Sequence, residues 1–145
     1  VINCSAYANI GIGIAADGGV LVAHCTSSSN LRDGIFCTGF CTIRGNTSSN
    51  NGLDINEGAA IHATQSDNRI EGNNCTGSDR GVDVDAAGNI IIGNTCSGNT
   101  NNWDIAIGNA VGPIVTAGTN AMAITGNGAF ASTLGTSDPF TNFNY

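Results

Sequence analysis

Chemistry in this chain would begin with its carboxylates. The stretch RGVDVD, Arg80 to Asp85, and the stretch NNWDI, Asn101 to Ile105, carry acids beside apolar residues that repeat every second position, as does the earlier LDI at Leu53 to Ile55. If these three stretches stack in register, Asp54, Asp83 and Asp104 form one outward column, with Asp85 two residues along the same face and Arg80 close by. Carboxylates one strand-spacing apart repel, which either raises a pKa or invites a cation, and Ca²⁺ is the cation such a column would take. A separation near ~5 Å is also that of a retaining glycosidase pair. A solvated acidic face is the plain alternative to both. Trp103 aligns with the inward Val82, so it supplies no exposed aromatic platform for a sugar.

Cysteine and hydroxyl positions raise a second set of chemistries. Cys4, Cys25, Ser48, Cys75 and Cys96 share a register with spacings of 21, 23, 27 and 21 residues. Stacked strands bring Cα atoms to about 4.8 Å, inside the disulfide range, so Cys4–Cys25 and Cys75–Cys96 are expected pairs, with Cys37–Cys41 across the turn CTGFC as a third. Each would close a loop worth on the order of 3 kcal/mol. Buried free thiols acting as small apolar rungs are the competing reading. Metal binding by the Cys column is disfavoured, because His24 and His62 share no ligand spacing with it. Beside that column Ser5, Thr26, Ser49, Thr76 and Ser97 would form a hydroxyl rank, similar to the Thr-x-Thr face of ice-binding solenoids, although His24, Asn3 and Asn74 interrupt its companion rank. β-propensity with solubility, or glycan decoration, would equally account for it.

These columns presuppose a coil. The pattern Ile-x-Gly-Asn-x-Cys recurs at Ile70 to Cys75 and Ile91 to Cys96, with Ser48 closing the copy that starts at Ile43, and more loosely from Val20 to Cys25. Each repeat adds a short alternating segment: Ile12-x-Ile14, Ile35-x-Cys37, Leu53-x-Ile55, Val82-x-Val84 and Trp103-x-Ile105. Gly or Asn interrupts every possible helix within two turns. Short strands at a fixed period, none able to bury its face alone, predict an all-β fold, a right-handed parallel β-helix of about five to six coils of ~21 residues. Val20, Ile43, Ile70 and Ile91 would face inward from one sheet and Ile14, Cys37, Ile55, Val84 and Ile105 from another. Asn46, Asn73 and Asn94 would stack at a turn, donating up and accepting down the axis. Residues 1–118 make the coils and 119–145 a cap or docking tail.

Composition narrows the function classes. The chain has 145 residues, four Arg, no Lys and eleven acids, a net charge of −7, so it lacks the phosphate-neutralising footprint of a nucleic-acid binder. No apolar run approaches the ~20 residues of a membrane span. Six Cys in a small acidic chain favour an extracellular setting, with an export signal removed or lying in a longer precursor.

The runs NRIEGNN, DRGVDVDAAGNIIIGN, DIAIGNAVGPIV and DPFTNFNY resemble the C-terminal portion of secreted bacterial right-handed parallel β-helix repeat proteins, with a pectate-lyase-like solenoid fold. The likeness covers about residues 68–145. It implies fold and secretion but no activity, since the fold serves enzymes, adhesins and structural proteins alike. The expectation is therefore a non-enzymatic structural module that associates head to tail with itself, with Phe130, Phe140, Phe143 and Tyr145 of the tail and outward Leu21, Phe36, Ile90 and Ile92 as contacts. The alternatives are a β-helix that binds or cleaves polysaccharide and an ice-binding solenoid.

Overall fold

The computed structural model describes residues 1–52, 58–119 and 132–145. Its elements, in chain order, are β1 (Ser5–Tyr7), β2 (Ile14–Ala16), β3 (Leu21–Ala23), β4 (Thr26–Ser28), β5 (Ile35–Cys37), β6 (Thr42–Arg44), β7 (Thr47–Ser49), β8 (Ala59–Ala63), β9 (Arg69–Glu71), β10 (Asn74–Thr76), β11 (Arg80–Val84), β12 (Ile90–Ile92), β13 (Thr95–Ser97), β14 (Asn101–Ile105), β15 (Ala110–Val111), β16 (Ile114–Thr116) and β17 (Asn142–Asn144). They build three wholly parallel sheets, visited in rotation by each coil. Sheet I runs β1-β4-β7-β10-β13-β17-β16, sheet II runs β2-β5-β8-β11-β14, and sheet III runs β3-β6-β9-β12-β15. This is the expected all-β parallel β-helix.

Why the strands stop where they do is visible in the backbone. Those of sheet I are bounded by left-handed residues stacked in two columns: Asn3, His24, Gly45, Gly72 and Gly93 before the strand, and Ala8, Ser29, Asn50, Gly77 and Gly98 after it. A left-handed residue turns the chain sharply, and Gly and Asn adopt it at least cost, which is why the sequence spells a corner with those letters.

The interior is dry and layered. Ile14, Ile35, Ile61, Val82 and Trp103 pair in register along sheet II, as do Ala16, Cys37, Ala63, Val84 and Ile105. Val22, Ile43, Ile70 and Ile91 do the same on sheet III. The inward positions of sheet I are small: Ala6, Ser27, Ser48, Cys75 and Cys96. The buried hydroxyls are satisfied, Ser27 Oγ donating to the Gly34 carbonyl at 2.6 Å and Ser48 Oγ to that of Ala60 at 2.7 Å. Close approach here demands glycine, since a Cβ on Gly34 would meet Ser48 Oγ at 2.1 Å.

Three corners carry amide ladders where one was expected. In the first, Asn46, Asn73, Asn94 and Asn142 each accept at Oδ1, from the third member's side, the backbone N–H of the rung before; Asn46 N and Nδ2 both reach Asn73 Oδ1 at 3.0 Å. Each Nδ2 also donates to a core-strand carbonyl, from Val22, Ile43, Ile70 and Ile91 respectively. A second ladder runs through Asn9, Asn30, Asn51, Ser78 and Asn99, and a third through Asn68, Asn89 and Asn109. The buried amides of the first ladder thus accept from the rung before and donate along the axis, while Asn30, Asn51, Asn68 and Asn89 turn one donor to a group three residues back in their own coil.

Registers differ from the sequence expectation by two residues in several places. Val22, not Val20, stacks on Ile43, and Ile14 stacks on Ile35, so that Ala16 is the residue on Cys37. The Cys column divides. Ser48, Cys75 and Cys96 belong to the middle of sheet I, whereas Cys4 and Cys25 occupy the first ladder's corner, with the Cys25 N–H donating to Asn46 Oδ1. The hydroxyl rank divides likewise: Ser5 and Thr26 stack with Thr47, Asn74, Thr95 and Phe143, while Ser49, Thr76 and Ser97 stack with Ser28 and Tyr7. A slip of two keeps every side chain on its own face, so alternation alone does not detect it.

All six cysteines are free thiols, and the expected bridges Cys4–Cys25, Cys75–Cys96 and Cys37–Cys41 are not formed. In-register parallel neighbours keep their Cβ atoms near the ~4.8 Å strand spacing, beyond the roughly 3.5–4.5 Å a disulfide needs. Cys4, Cys25 and Cys41 donate to carbonyls two residues back instead, Cys25 to Ala23 at 3.2 Å and Cys41 to Gly39 at 3.3 Å. Burial, then the nearby Cys41, pushes the Cys37 thiol up to about 12. The Cys75 thiol is raised by its hydrogen bond with Cys96 and by burial. Thiols held protonated in this way are unreactive core fillers.

The far end of sheet I breaks the chain's order. β17 lies between β13 and β16, so it forms the sixth rung of this sheet and β16, made earlier, stacks outside it as the seventh. Asn142 thereby becomes the last member of the first ladder. In the tail, Phe143 is half-buried, Phe140 and Tyr145 are exposed, and Phe130 lies outside the described residues.

Candidate site on the outer face of sheet II

Along sheet II the outward column reads Ala15, Phe36, His62, Asp83 and Asp104. The stacking neighbour of Asp83 on the preceding coil is therefore His62 of β8, not Asp54. Asp54, with Leu53 and Ile55, lies outside the described residues, between Gly52 and Gly58. Those two glycines meet closely, a Cβ on Gly58 falling 2.3 Å from Gly52 Cα. The coil from Thr47 to Asn74 is 27 residues long where its neighbours take 21, and the coil's own sheet II strand is Ala59–Ala63.

His62 is the centre of the site. Its Nδ1 stands 3.3 Å from Asp33 Oδ2 and its Nε2 stands 3.1 Å from Asp85 Oδ2 and 3.9 Å from Asp83 Oδ2. Asp33 is itself fixed, its Oδ1 accepting the Ala59 N–H at 2.8 Å. The ring edge of His62 meets Phe36 perpendicularly at 5.5 Å between centroids. On the next rung Arg80 bridges two acids, with one guanidinium nitrogen 3.1 Å from Asp83 and Nε 3.2 Å from Asp104. Asp83 is the buried keystone, its side chain 8% exposed, whereas Asp85 at 55% and Asp104 at 53% face solvent.

The electrostatics follow from these contacts. The hydrogen bond that His62 donates to Asp33 leads, the one to Asp85 adds to it, and together with the charges of Asp33 and Asp83 they outweigh burial and raise the His62 pKa to about 9. The imidazole is thus protonated at neutral pH in the metal-free protein, donating from both nitrogens. Burial raises the Asp83 carboxyl above its ordinary value, against the opposing charges of His62 and Arg80. Ile12, Arg32, Asp33 and Phe36 on one side and Arg80, Asp83 and Asp85 on the other line a cleft of about 570 Å³ around His62.

Of the residues singled out in sequence, the structure brings Asp83, Asp85, Asp104 and Arg80 together. Asp33 and His62 were missed. The signal for His62 was present: GAAIHAT, Gly58 to Thr64, has the same alternation as GVDVD, and aligning Ile61 with Val82 places His62 on Asp83. Elsewhere, outward Leu21 and Ile92 are half-buried and Ile90 is exposed; Ile90 and Ile92 line an apolar groove with Val111, Pro113 and Phe140. Among the described residues no helix is long and apolar enough to cross a membrane. Neither a protein-family profile, a curated protein nor a solved structure matches this chain.

Proposed function

We propose that this protein is an extracellular carbohydrate-binding β-solenoid, of the kind found in secreted bacterial β-helix repeat proteins, that holds a polysaccharide in the sheet II cleft. The cleft itself carries the reading: the exposed carboxylate of Asp85, the Arg80 guanidinium and the apolar wall of Phe36 and Ile12 converge on one concave surface, with Asp104 beside it, paired to Arg80. Sugar recognition needs this mixture of fixed acceptors, fixed donors and apolar contact. Binding is favoured over cleavage. Asp83 is largely covered and engaged by Arg80, and Arg80 stands between the two acids that a retaining mechanism would use, Asp83 and Asp104. Affinity electrophoresis in gels cast with neutral and acidic polysaccharides tests it. Retardation of the protein by at least one polymer, reduced about tenfold by Asp104→Ala or Phe36→Ala, is expected, and unretarded migration in every gel rejects the reading.

The second reading, a structural module that stacks on further copies, draws on the last coil. Among the described residues β14, β15 and β16 are the outermost strands of their sheets; β16 carries the exposed Ile114, and the exposed Ile107 lies in the turn between β14 and β15. Concentration-dependent polymers in sedimentation velocity support it, and a single monomeric boundary at all concentrations counts against it.

A further inference from the structure

We propose that His62 Nε2, Asp83 and Asp85 form a binding site for one first-row divalent transition-metal ion, with Asp33 supporting the imidazole from behind. The inference goes beyond carbohydrate binding and stands without it. One ligand atom from each of the three residues lies within 4.8 Å of the others. Two ~2.1 Å bonds at a tetrahedral angle set ligand atoms about 3.4 Å apart, and the observed separations from His62 Nε2, 3.1 Å to Asp85 and 3.9 Å to Asp83, bracket that value.

The imidazole is presented as a ligand requires. Metal-bound histidines almost always donate their other ring N–H to a carboxylate or carbonyl, which fixes the tautomer and orientation. Asp33 does this at Nδ1, and Asp33 is held by the backbone of β8, so Nε2 is the nitrogen left to face the two acids. The charges agree. With His62 neutral, Asp33, Asp83, Asp85 and Asp104 against Arg32 and Arg80 leave two negative charges around the cleft, which a divalent ion cancels. One imidazole and two carboxylates suit Zn²⁺, Co²⁺ or Mn²⁺ rather than Ca²⁺, which takes six to eight oxygens. Asp85 lies on the solvent side, so the remaining coordination position opens into the cleft.

The test is a calorimetric titration of chelator-treated full-length protein with ZnCl₂ in sugar-free buffer. Saturation at one ion per chain is expected, with Ca²⁺ at equal concentration failing to displace it. His62→Gln should weaken binding more than 100-fold. Asp85→Asn, at an exposed position, should weaken it at least tenfold. Asp33→Asn keeps the Oδ1 that accepts the Ala59 N–H but turns a donor toward Nδ1, favouring the Nε2–H tautomer. It should cost 10–100-fold in affinity and shift the visible bands of the Co²⁺ form, which a merely structural residue would not do. Absence of saturable binding, uptake unchanged in Asp85→Asn and His62→Gln, or displacement by Ca²⁺ would each overturn the site. Because no sugar enters the experiment, its failure leaves polysaccharide binding standing, and the reverse holds too.

Discussion

Two kinds of polar stack run along this solenoid, the amide ladders of its corners and the charged column of sheet II, and they solve the same problem in opposite ways. At the corners each amide is donor and acceptor at once, so Asn46, Asn73, Asn94 and Asn142 satisfy one another by repetition, buried and uncharged. On the outer face of sheet II a carboxylate has no donor, and repetition would only add like charges. There the column changes letter from Ala15 through Phe36 and His62 to Asp83, and where Asp104 repeats the acid Arg80 reaches across to both carboxylates. Repetition builds the scaffold, and departure from repetition builds the site.

The largest expected effect comes from breaking repetition inside a ladder. Asn73→Ala strands the Asn46 N–H and Nδ2 and the Ile43 carbonyl together in a dry interior. At about 1–3 kcal/mol for each buried unsatisfied group, a loss of roughly 3–5 kcal/mol is expected in urea unfolding, with Asn73→Asp recovering only the Oδ1 half of the bonds.

Next is the pH dependence of the charged column in chelator-treated protein. The His62 pKa is about 9 in the fold against 6.5 for the free side chain. A raised cationic group stabilises fully below its unfolded value, so the contribution is whole below about pH 6.5 and disappears as pH climbs through about 9. The shift corresponds to about 3 kcal/mol. His62→Gln should flatten the fall in melting temperature between those limits, and an unchanged profile would show that another group sets it.

Arg80→Gln should cost about 1–3 kcal/mol at pH 7, because the buried Asp83 loses its nearest cation. Since burial already raises the Asp83 carboxyl, the loss should shrink as the pH falls and Asp83 takes up a proton, which differential scanning fluorimetry across pH can follow. The smallest effect belongs to the hydroxyl positions of sheet I. Thr26→Ala removes an exposed side chain for which no hydrogen bond is recorded among the described residues, and should change stability by less than about 0.5 kcal/mol.

The same contrast governs what the sequence discloses. Alternation in Ile43, Ile70 and Ile91 and the recurring Gly-Asn pair reveal coil, core and corner, because each repeats at the fold's own period. Register was less legible, since moving Val20 to Val22 leaves every face unchanged. The site was half legible. Asp83, Asp85 and Asp104 sit in recognisable repeats, but β8 lies within the coil of 27 residues and is mostly alanine, so the alternation at Leu53 to Ile55 reads as that coil's strand instead. Asp33 enters only through a side-chain contact across a coil, which no linear pattern encodes. The insertion of β17 is equally invisible, being a pairing between Thr95 and Phe143.

That insertion separates the order of synthesis from the order of stacking. A ribosome delivers β16 before β17, yet among the described residues β16 pairs on this sheet with β17 alone. The closing rungs of sheet I therefore wait until residues 142–144 have been made. Removing Thr141 to Tyr145 would take away one strand and the described partner of a second, which makes these five residues a keystone laid after the stone they carry.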